Sequence, residues 1–317
     1  RARPHRGQSG GAPVPVAAVP ERSATEYVAR LVKAQQTVAI CEQLGPATEN
    51  KGLVERKVVR VITPGTLTDE GLLYSKSENV LAALWCNSPR WAIATLELSS
   101  GRFCAQEFDH ANAAFDDLAR LQPAELIIGD GVAAPALCRT NTTTHRSIPD
   151  WHFDHEQAVT RLCTLFGTRD LAAFGCEGFP LATATAGALI GYVQNLNNGA
   201  MPHVRDLVIR QPSDYLLVDS ATRRHLEIEQ VIEGSGGVSL VLLFDHCATA
   251  MGSRQLGRWL RDPVRNQNEL KQRHDAIDDF SHDTIGETLR ADLRKIGDIE
   301  RIIARVALGL SLISISE

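Results

Sequence analysis

Apolar and polar positions in the first 65 residues predict a helix followed by two strands. Residues 27–32 place their apolar side chains on one helical face, and the preceding Ser-Ala-Thr-Glu stretch at 23–26 has the form of a capping box. Two extended apolar runs follow, at residues 38–41 and 58–62, with a polar loop between them. We therefore expect a small mixed α/β unit whose first residues have no strand partner in this chain.

From about residue 73 to residue 203 the pattern switches between period two and period 3.6. It predicts three strands, a helix, a fourth strand and two more helices, at residues 80–86, 91–98, 102–108, 111–121, 125–128, 155–166 and 181–196. Three antiparallel strands, a helix and a fourth strand form the opening order of a ribonuclease-H-like fold. The expected core comprises Leu81, Leu84, Trp85, Ile93, Leu96, Phe103, Phe115, Leu118, Ile127 and Ile128.

The pattern beyond residue 204 is mostly helical. One helix is expected after Asn266, a plausible N-cap, and an apolar stripe at spacings of three and four runs from Ile285 to Val306. We expect this stripe to be buried by something outside the chain. A separate helical face carries Arg254, Arg258 and Arg261. These arginines are expected to be solvated or paired with acids that this chain lacks.

Composition narrows the class of protein. The chain has 317 residues, 44% of them hydrophobic, and a net charge of −5, which argues against nucleic-acid binding by the whole surface but permits a local basic face. No apolar run of 18 or more residues is present, so no membrane partner or span is expected, and no signal peptide is recognisable. Seven scattered cysteines without a C-x-x-C pair favour a reduced, cytoplasmic protein.

Five blocks together resemble the MutS family of bacterial DNA mismatch repair proteins. They are CEQLGPATENKGLVERKVVRVITPGT (41–66), LFGTRDLAAFG (165–175), LLVDSATRRHLEI (216–228), MGSRQLGRWLRDPV (251–264) and KIGDIERIIARVAL (295–308). The terminal LSLISISE departs from the family pattern. The resemblance implies an internal piece of such a protein. In the family, the whole protein binds duplex DNA with mismatches or small loops as a homodimer, uses ATP and magnesium, and recruits MutL.

The resemblance also divides the chain into an α/β multidomain arrangement. Residues 1–65 would be the end of the mismatch-recognition domain, 66–72 a linker, 73–203 a ribonuclease-H-like connector domain and 204–317 the incomplete beginning of a helical core domain. We expect the DNA backbone to be contacted by Arg6 and Arg22. Arg22 stands where the family has a basic residue after a Val-Pro step, although the preceding Glu21 departs from the family pattern. The alternative for Arg22 is a solvated surface arginine.

The family docks MutL on its connector domain, which makes the block at 165–175 a candidate partner surface. Its candidate contact residues are Leu165, Thr168, Arg169 and Asp170, whereas the apolar residues of the block have a purely structural alternative as core. The family's Phe-x-Glu mismatch wedge and its P-loop, G-x-x-x-x-G-K-S/T, are absent from this sequence. We therefore expect no cofactor in this chain, and no catalytic motif identifies it as an enzyme.

The sequence leaves two other functions open. A stand-alone ribonuclease-H-like nuclease would need converging carboxylates, for which the candidates are Glu97, Asp109, Asp116, Asp117 and Asp130. The second alternative function is that of a non-catalytic relative, which binds DNA or a partner protein without taking part in repair. His152 and His155 share a helical spacing but lack a third ligand at a recognisable distance, so surface or capping roles are favoured.

Overall fold

The computed structural model describes residues 4–9, 12–17, 20, 23–43, 56–133, 143–196, 201–232, 234, 236–281 and 285–309. The chain divides into two compact units, Arg1–Pro64 and Gly65–Glu317.

The first unit begins with a β-hairpin. β1 (Pro4–Ser9) pairs antiparallel with β2 (Ala12–Ala17), and Arg6 lies opposite Pro15. The expectation that the first residues lack a strand partner is therefore wrong. The sequence pattern does not predict β2, because it contains prolines at 13 and 15. Proline is depleted in strands and is tolerated only where its missing N–H is not needed.

The rest of the first unit follows the predicted order. α1 (Ala24–Lys33) precedes β3 (Val38–Gln43) and β4 (Arg56–Ile62), which pair antiparallel. The capping box does not form, since Ser23 makes no side-chain bond to the helix. Its φ of −103° and ψ of 2° lie outside the extended backbone region that an N-cap residue normally adopts.

The second unit is built on a six-stranded mixed sheet. Its strands are β5 (Leu81–Asn87), β6 (Arg90–Glu97), β7 (Arg102–Phe108), β8 (Glu125–Gly129), β9 (Thr144–Ile148) and β10 (Val208–Ile209). Across the sheet the order is β10-β7-β6-β5-β8-β9. β6 pairs antiparallel with both β5 and β7. The other three pairs are parallel, namely β8 with β5, β9 with β8 and β10 with β7.

Helices cover both faces of this sheet. α2 (Ala111–Leu121) packs on one face, and α3 (His155–Phe166) and α4 (Pro180–Leu196) pack together, with α4 against the other face. Leu84 lies opposite Ile93 on neighbouring strands, and both are buried on the α2 side, as the alternation predicts. All ten predicted core residues lie in these two cores, with Trp85 and Phe115 only half-buried.

Two close approaches explain two glycines. A Cβ on Gly187 would lie 2.3 Å from the Cβ of Ala158, so glycine lets α3 and α4 approach closely. Gly65 donates its N–H to Oε2 of the fully buried Glu125 at 3.0 Å, and a Cβ there would lie 2.7 Å from Cδ1 of Leu81. Position 65 therefore requires glycine, because Leu81 and Glu125 of the sheet leave no room for a Cβ.

The remainder of the second unit is mostly helical. Its helices are α5 (Ser220–His225), α6 (Leu240–Phe244), α7 (Ala250–Arg261), α8 (Gln267–Ser281), α9 (Ile285–Leu293) and α10 (Ile299–Ala307). Asn266 caps α8 as predicted, because its Oδ1 accepts the N–H groups of Asn268 at 3.0 Å and Glu269 at 3.3 Å. No helix in the described ranges combines the length and apolar character needed to cross a membrane.

Candidate functional site: a buried charge network

One face of α7 carries arginines that point into the protein. The Arg254 side chain is completely buried, and its Nη1 donates to Asp298 Oδ2 at 2.6 Å while its Nη2 donates to Asp298 Oδ1 at 2.9 Å. The same Nη2 lies 2.6 Å from Oε2 of Glu300. Arg254 therefore joins α7 to the start of α10 through charge-assisted bonds, which are the strong class of hydrogen bond.

The other two arginines of this face converge on Glu78. Arg258 Nη1 lies 2.9 Å from Glu78 Oε1, and Arg261 Nη1 lies 2.8 Å from Oε2. Arg261 also donates its Nε to Glu229 at 2.7 Å. The expectation that these arginines are solvated or paired outside the chain is wrong: their partners lie within it, at sequence separations that helical spacing does not encode.

Guanidinium groups also hold the backbone just before β5. Arg301 donates to the carbonyl oxygens of Tyr74 at 3.1 Å and Ser77 at 2.8 Å, and Arg254 donates to that of Ser75 at 2.8 Å. Because each bond depends on direction as well as distance, this arrangement fixes α7 and α10 relative to the sheet.

The helix α10 is inverted relative to an ordinary surface helix. Arg301 and Arg305 are buried at 1% and 3% exposure, whereas Ile299, Ile303 and Val306 are 47%, 56% and 56% exposed. The charged face is the inner one because it meets the carboxylates and carbonyls just described. The prediction that the apolar stripe is buried by something outside this chain stays a prediction.

Burial and charge set the protonation of the network in opposite directions. Burial raises the pKa of Glu78, but Arg261 and Arg102 outweigh it and hold that pKa below its ordinary value. Burial and the nearby charge of Glu78 instead raise the pKa of Glu97. The hydrogen bond from Ser100 and the charges of Arg254 and Arg301 lower it, but by less. The charge of Glu78 thus contributes to the raised pKa of Glu97, whereas the arginine partners of Glu78 lower its own pKa.

A second node lies at the end of α7. Asp262 accepts from Arg120 of α2 and lies 3.0 Å from Nη2 of Arg210, whose guanidinium stacks 4.5 Å from the ring centre of Tyr215. Burial opposes the charge of Asp262, but Arg120 and Arg210 overcome it and lower its pKa. This node fastens α7 to α2 and to the chain after β10.

The nuclease alternative gains no support from this geometry. Glu97 accepts hydrogen bonds from Ser99 Oγ at 3.2 Å and Ser100 Oγ at 2.8 Å. In the part of the chain that the structure describes, no group of three or more His, Cys, Asp or Glu side chains is placed to hold a metal ion. His152 stacks on Trp151 with ring centres 3.7 Å apart.

The contact of Arg6 and Arg22 with the DNA backbone stays a prediction. Arg6 lies in β1, and Arg22 lies outside the described residues. Of the predicted MutL-contact residues, Leu165 is half-buried at the end of α3, while Thr168, Arg169 and Asp170 are exposed in the loop that follows. Asp170 Oδ1 accepts the N–H of the residue two positions on, at 3.1 Å.

The apolar residues of the same loop are structural. Leu171 is 6% exposed, and Phe166 stacks on Phe174 with ring centres 4.4 Å apart, against the core on the α4 side. The loop therefore separates an apolar inner side from a polar outer side, and only the polar side is available to a partner.

Sequence reasoning missed the acids of the network. Asp298 could have been found as an N-cap, since it precedes α10 and accepts the N–H of Arg301 at 3.3 Å. Glu78 carries no such local signal, because it precedes a strand and its partners lie 180 and 183 residues away.

Comparison with protein families finds three models that match successive parts of the chain. The models for MutS domain I, MutS domain II and MutS domain III match residues 3–71, 79–205 and 221–314, in that order. Arg120 lies in the second match and its partner Asp262 lies in the third, so the charge network connects the two matched regions. The chain belongs to the MutS family of DNA mismatch repair proteins.

Proposed function

We propose that this chain provides DNA-backbone contact and the connector of a MutS-type protein that binds mismatched duplex DNA and couples this binding to ATP and to MutL. The observation that carries the proposal is the match to three MutS domains in order along the chain. The proposed domains are residues 1–65 for recognition, 73–203 for the connector after a linker at 66–72, and 204–317 for the beginning of the helical core.

The sheet topology supports a ribonuclease-H-like connector. Three antiparallel strands are followed by α2 and by β8, which pairs parallel to the first of them. We assign this connector a mechanical role. Its buried attachment to α7 and α10 through Glu78, Arg254 and Arg301 suits a domain that passes movement between DNA and a partner.

A phosphate-contact role is proposed for Arg6 and Arg22. A guanidinium suits a phosphate because it can donate two parallel hydrogen bonds. With a net charge of −5, contact with DNA must rely on local cations of this kind. The sequence contains neither the mismatch wedge nor a P-loop, so we propose neither mismatch reading nor ATP contact by these residues.

The test is titration of the protein with matched and G·T-mismatched duplexes over a series of salt concentrations. We expect weak binding without mismatch preference, and Arg22→Ala should weaken it equally on both duplexes. Loss of one phosphate contact should flatten the slope of log affinity against log salt by about 0.9. Arg205→Ala removes an exposed arginine from the second unit and is the matched control. An unchanged slope for Arg22→Ala, or a mismatch preference of about tenfold, argues against this assignment.

The proposed contact for MutL comprises Leu165 at the end of α3 and the exposed polar side of the following loop, with Thr168, Arg169 and Asp170. We further propose that the whole protein acts in the cytoplasm as a homodimer, with ATP and magnesium bound outside these residues. These partners come from the family to which the chain belongs.

A further inference from the structure

The edge of β7 is open over its last residues. β10 pairs only with Cys104 and Ala105, and Arg210 continues that pairing by donating its N–H to the carbonyl of Ala105 at 2.8 Å. Backbone polar groups of alternate residues face the same edge of a strand, so Glu107 presents its N–H and C=O to this side. Among the described strands, none pairs with residues 106–108 on that edge.

A groove of about 470 Å³ lies beside this open edge. Its far wall is the extended stretch 215–218, which is held in place by the bridge from Tyr215 to Val264 and by the bond from Leu216 N to Pro263 O at 2.7 Å. Leu217 is 75% exposed on this wall. The volume of the groove lies in the range of ligand sites. Its walls combine apolar side chains with the unpaired edge of β7.

The charge facing this groove is negative. Four arginines line it, but each is already bonded to carboxylates within the protein; they are Arg120, Arg210, Arg223 and Arg261. Asp109, Asp116 and Asp219 line the same groove and are exposed. Asp116 makes one long contact, with Ser220 Oγ at 3.5 Å, and Asp219 caps α5. Uncompensated charge at the rim therefore favours a cationic occupant and disfavours phosphate.

We propose that this groove binds an extended basic peptide segment of a partner protein as an added strand along β7. Main-chain hydrogen bonds to Glu107 give such a peptide its direction, and the side chains that line the groove select among peptide side chains. One apolar side chain lies against Leu216 and Leu217. A lysine or arginine side chain on the segment reaches Asp109 and Asp116.

The probe is a fluorescent capped peptide of alternating lysine and valine, titrated into the whole chain. Asp109→Asn with Asp116→Asn should weaken its binding about tenfold, since two exposed charge contacts of modest energy are lost. Glu177→Gln with Asp206→Asn removes two exposed acids outside the groove and should leave binding unchanged. Leu217→Ser should weaken binding, whereas Leu242→Ser, at a leucine that is 63% exposed elsewhere, should not.

Two further measurements separate strand addition from general attraction between charges. A peptide with N-methylated valines keeps its charge but loses backbone donors, and it should bind several-fold more weakly. The Glu107 amide should exchange hydrogen more slowly with the unmodified peptide present. Equal binding of a glutamate–valine peptide, equal effects of the groove and control variants, or absence of saturable binding would each overturn the proposal.

Discussion

Arg254 and Asp298 form a two-point ion pair, with N–O distances of 2.6 and 2.9 Å, although they are 44 residues apart in the chain. The guanidinium is completely buried and the carboxylate nearly so. A buried pair of this kind gives little net stability relative to apolar residues, but removal of one partner is costly because it leaves the other charged and unpaired. The pair is therefore a determinant of geometry more than a source of stability.

Arg254→Met should lower the free energy of unfolding by about 3–5 kcal/mol, because Asp298 and Glu300 lose their shared cation. Lys295→Met is the control. It breaks an ion pair with Asp292 whose members are 75% and 62% exposed, and it should change stability by less than about 1 kcal/mol. Urea unfolding of the three proteins measures both effects. Equal midpoints for wild type and Arg254→Met would contradict the buried network.

Glu78→Gln should reduce the loss of stability in acid. Arginine neighbours hold the pKa of Glu78 below its ordinary value of 4.5, so its stabilising contribution is present above that pH and is lost as the pH falls through the lowered pKa. The variant should be less stable than wild type at about pH 7, and the difference should shrink at about pH 3. Unfolding free energies across this range provide the measurement.

Glu97→Gln provides a control of opposite sign for the preceding prediction. Burial and Glu78 raise the pKa of Glu97, so its contribution is present below 4.5 and is lost as the pH rises through the raised value. Relative to wild type, this variant should gain stability on going from acid to neutral pH. If both variants follow the same pH trend, the assigned directions are wrong.

Gly65→Ala should destabilise the second unit by about 1–3 kcal/mol, since its Cβ would lie 2.7 Å from Leu81 and 2.8 Å from Glu125. Gly71→Ala is a matched control six residues away in the chain, because no heavy atom lies within 4 Å of the added Cβ. It should change stability by less than about 0.5 kcal/mol. Thermal unfolding compares the two, and equal shifts would show that the close approach is relieved without cost.

Arg169→Ala combined with Asp170→Ala should weaken capture of MutL about tenfold or more. The free energy of unfolding should fall by no more than about 1 kcal/mol, because both side chains are exposed and only the backbone bond of Asp170 is lost. Arg224→Ala, an exposed arginine of α5, is the control for loss of charge. Surface-immobilised MutL measures the affinity. Loss of binding only in a variant of the buried Leu171 would instead assign this loop a purely structural role.

Elements with strong local periodicity could be predicted, and contacts between distant residues could not. Leu84 and Ile93 were assigned to one buried face from alternation alone, because the period of two fixes which side chains share a face. The β1–β2 hairpin was missed because its second strand contains prolines. Arg254 was placed on the correct helical face, but its partners lie beyond any local pattern.

The two faces of α10 resist displacement to different degrees. Its inner face holds Arg301 by bonds to two particular carbonyl oxygens, so a shift of the helix by one residue would break both. Its outer face, with Ile299 and Ile303, offers contacts that have no preferred direction. A surface that packs on the outer face would be held by burial of apolar area, whereas directional bonds fix the inner face to the segment before β5.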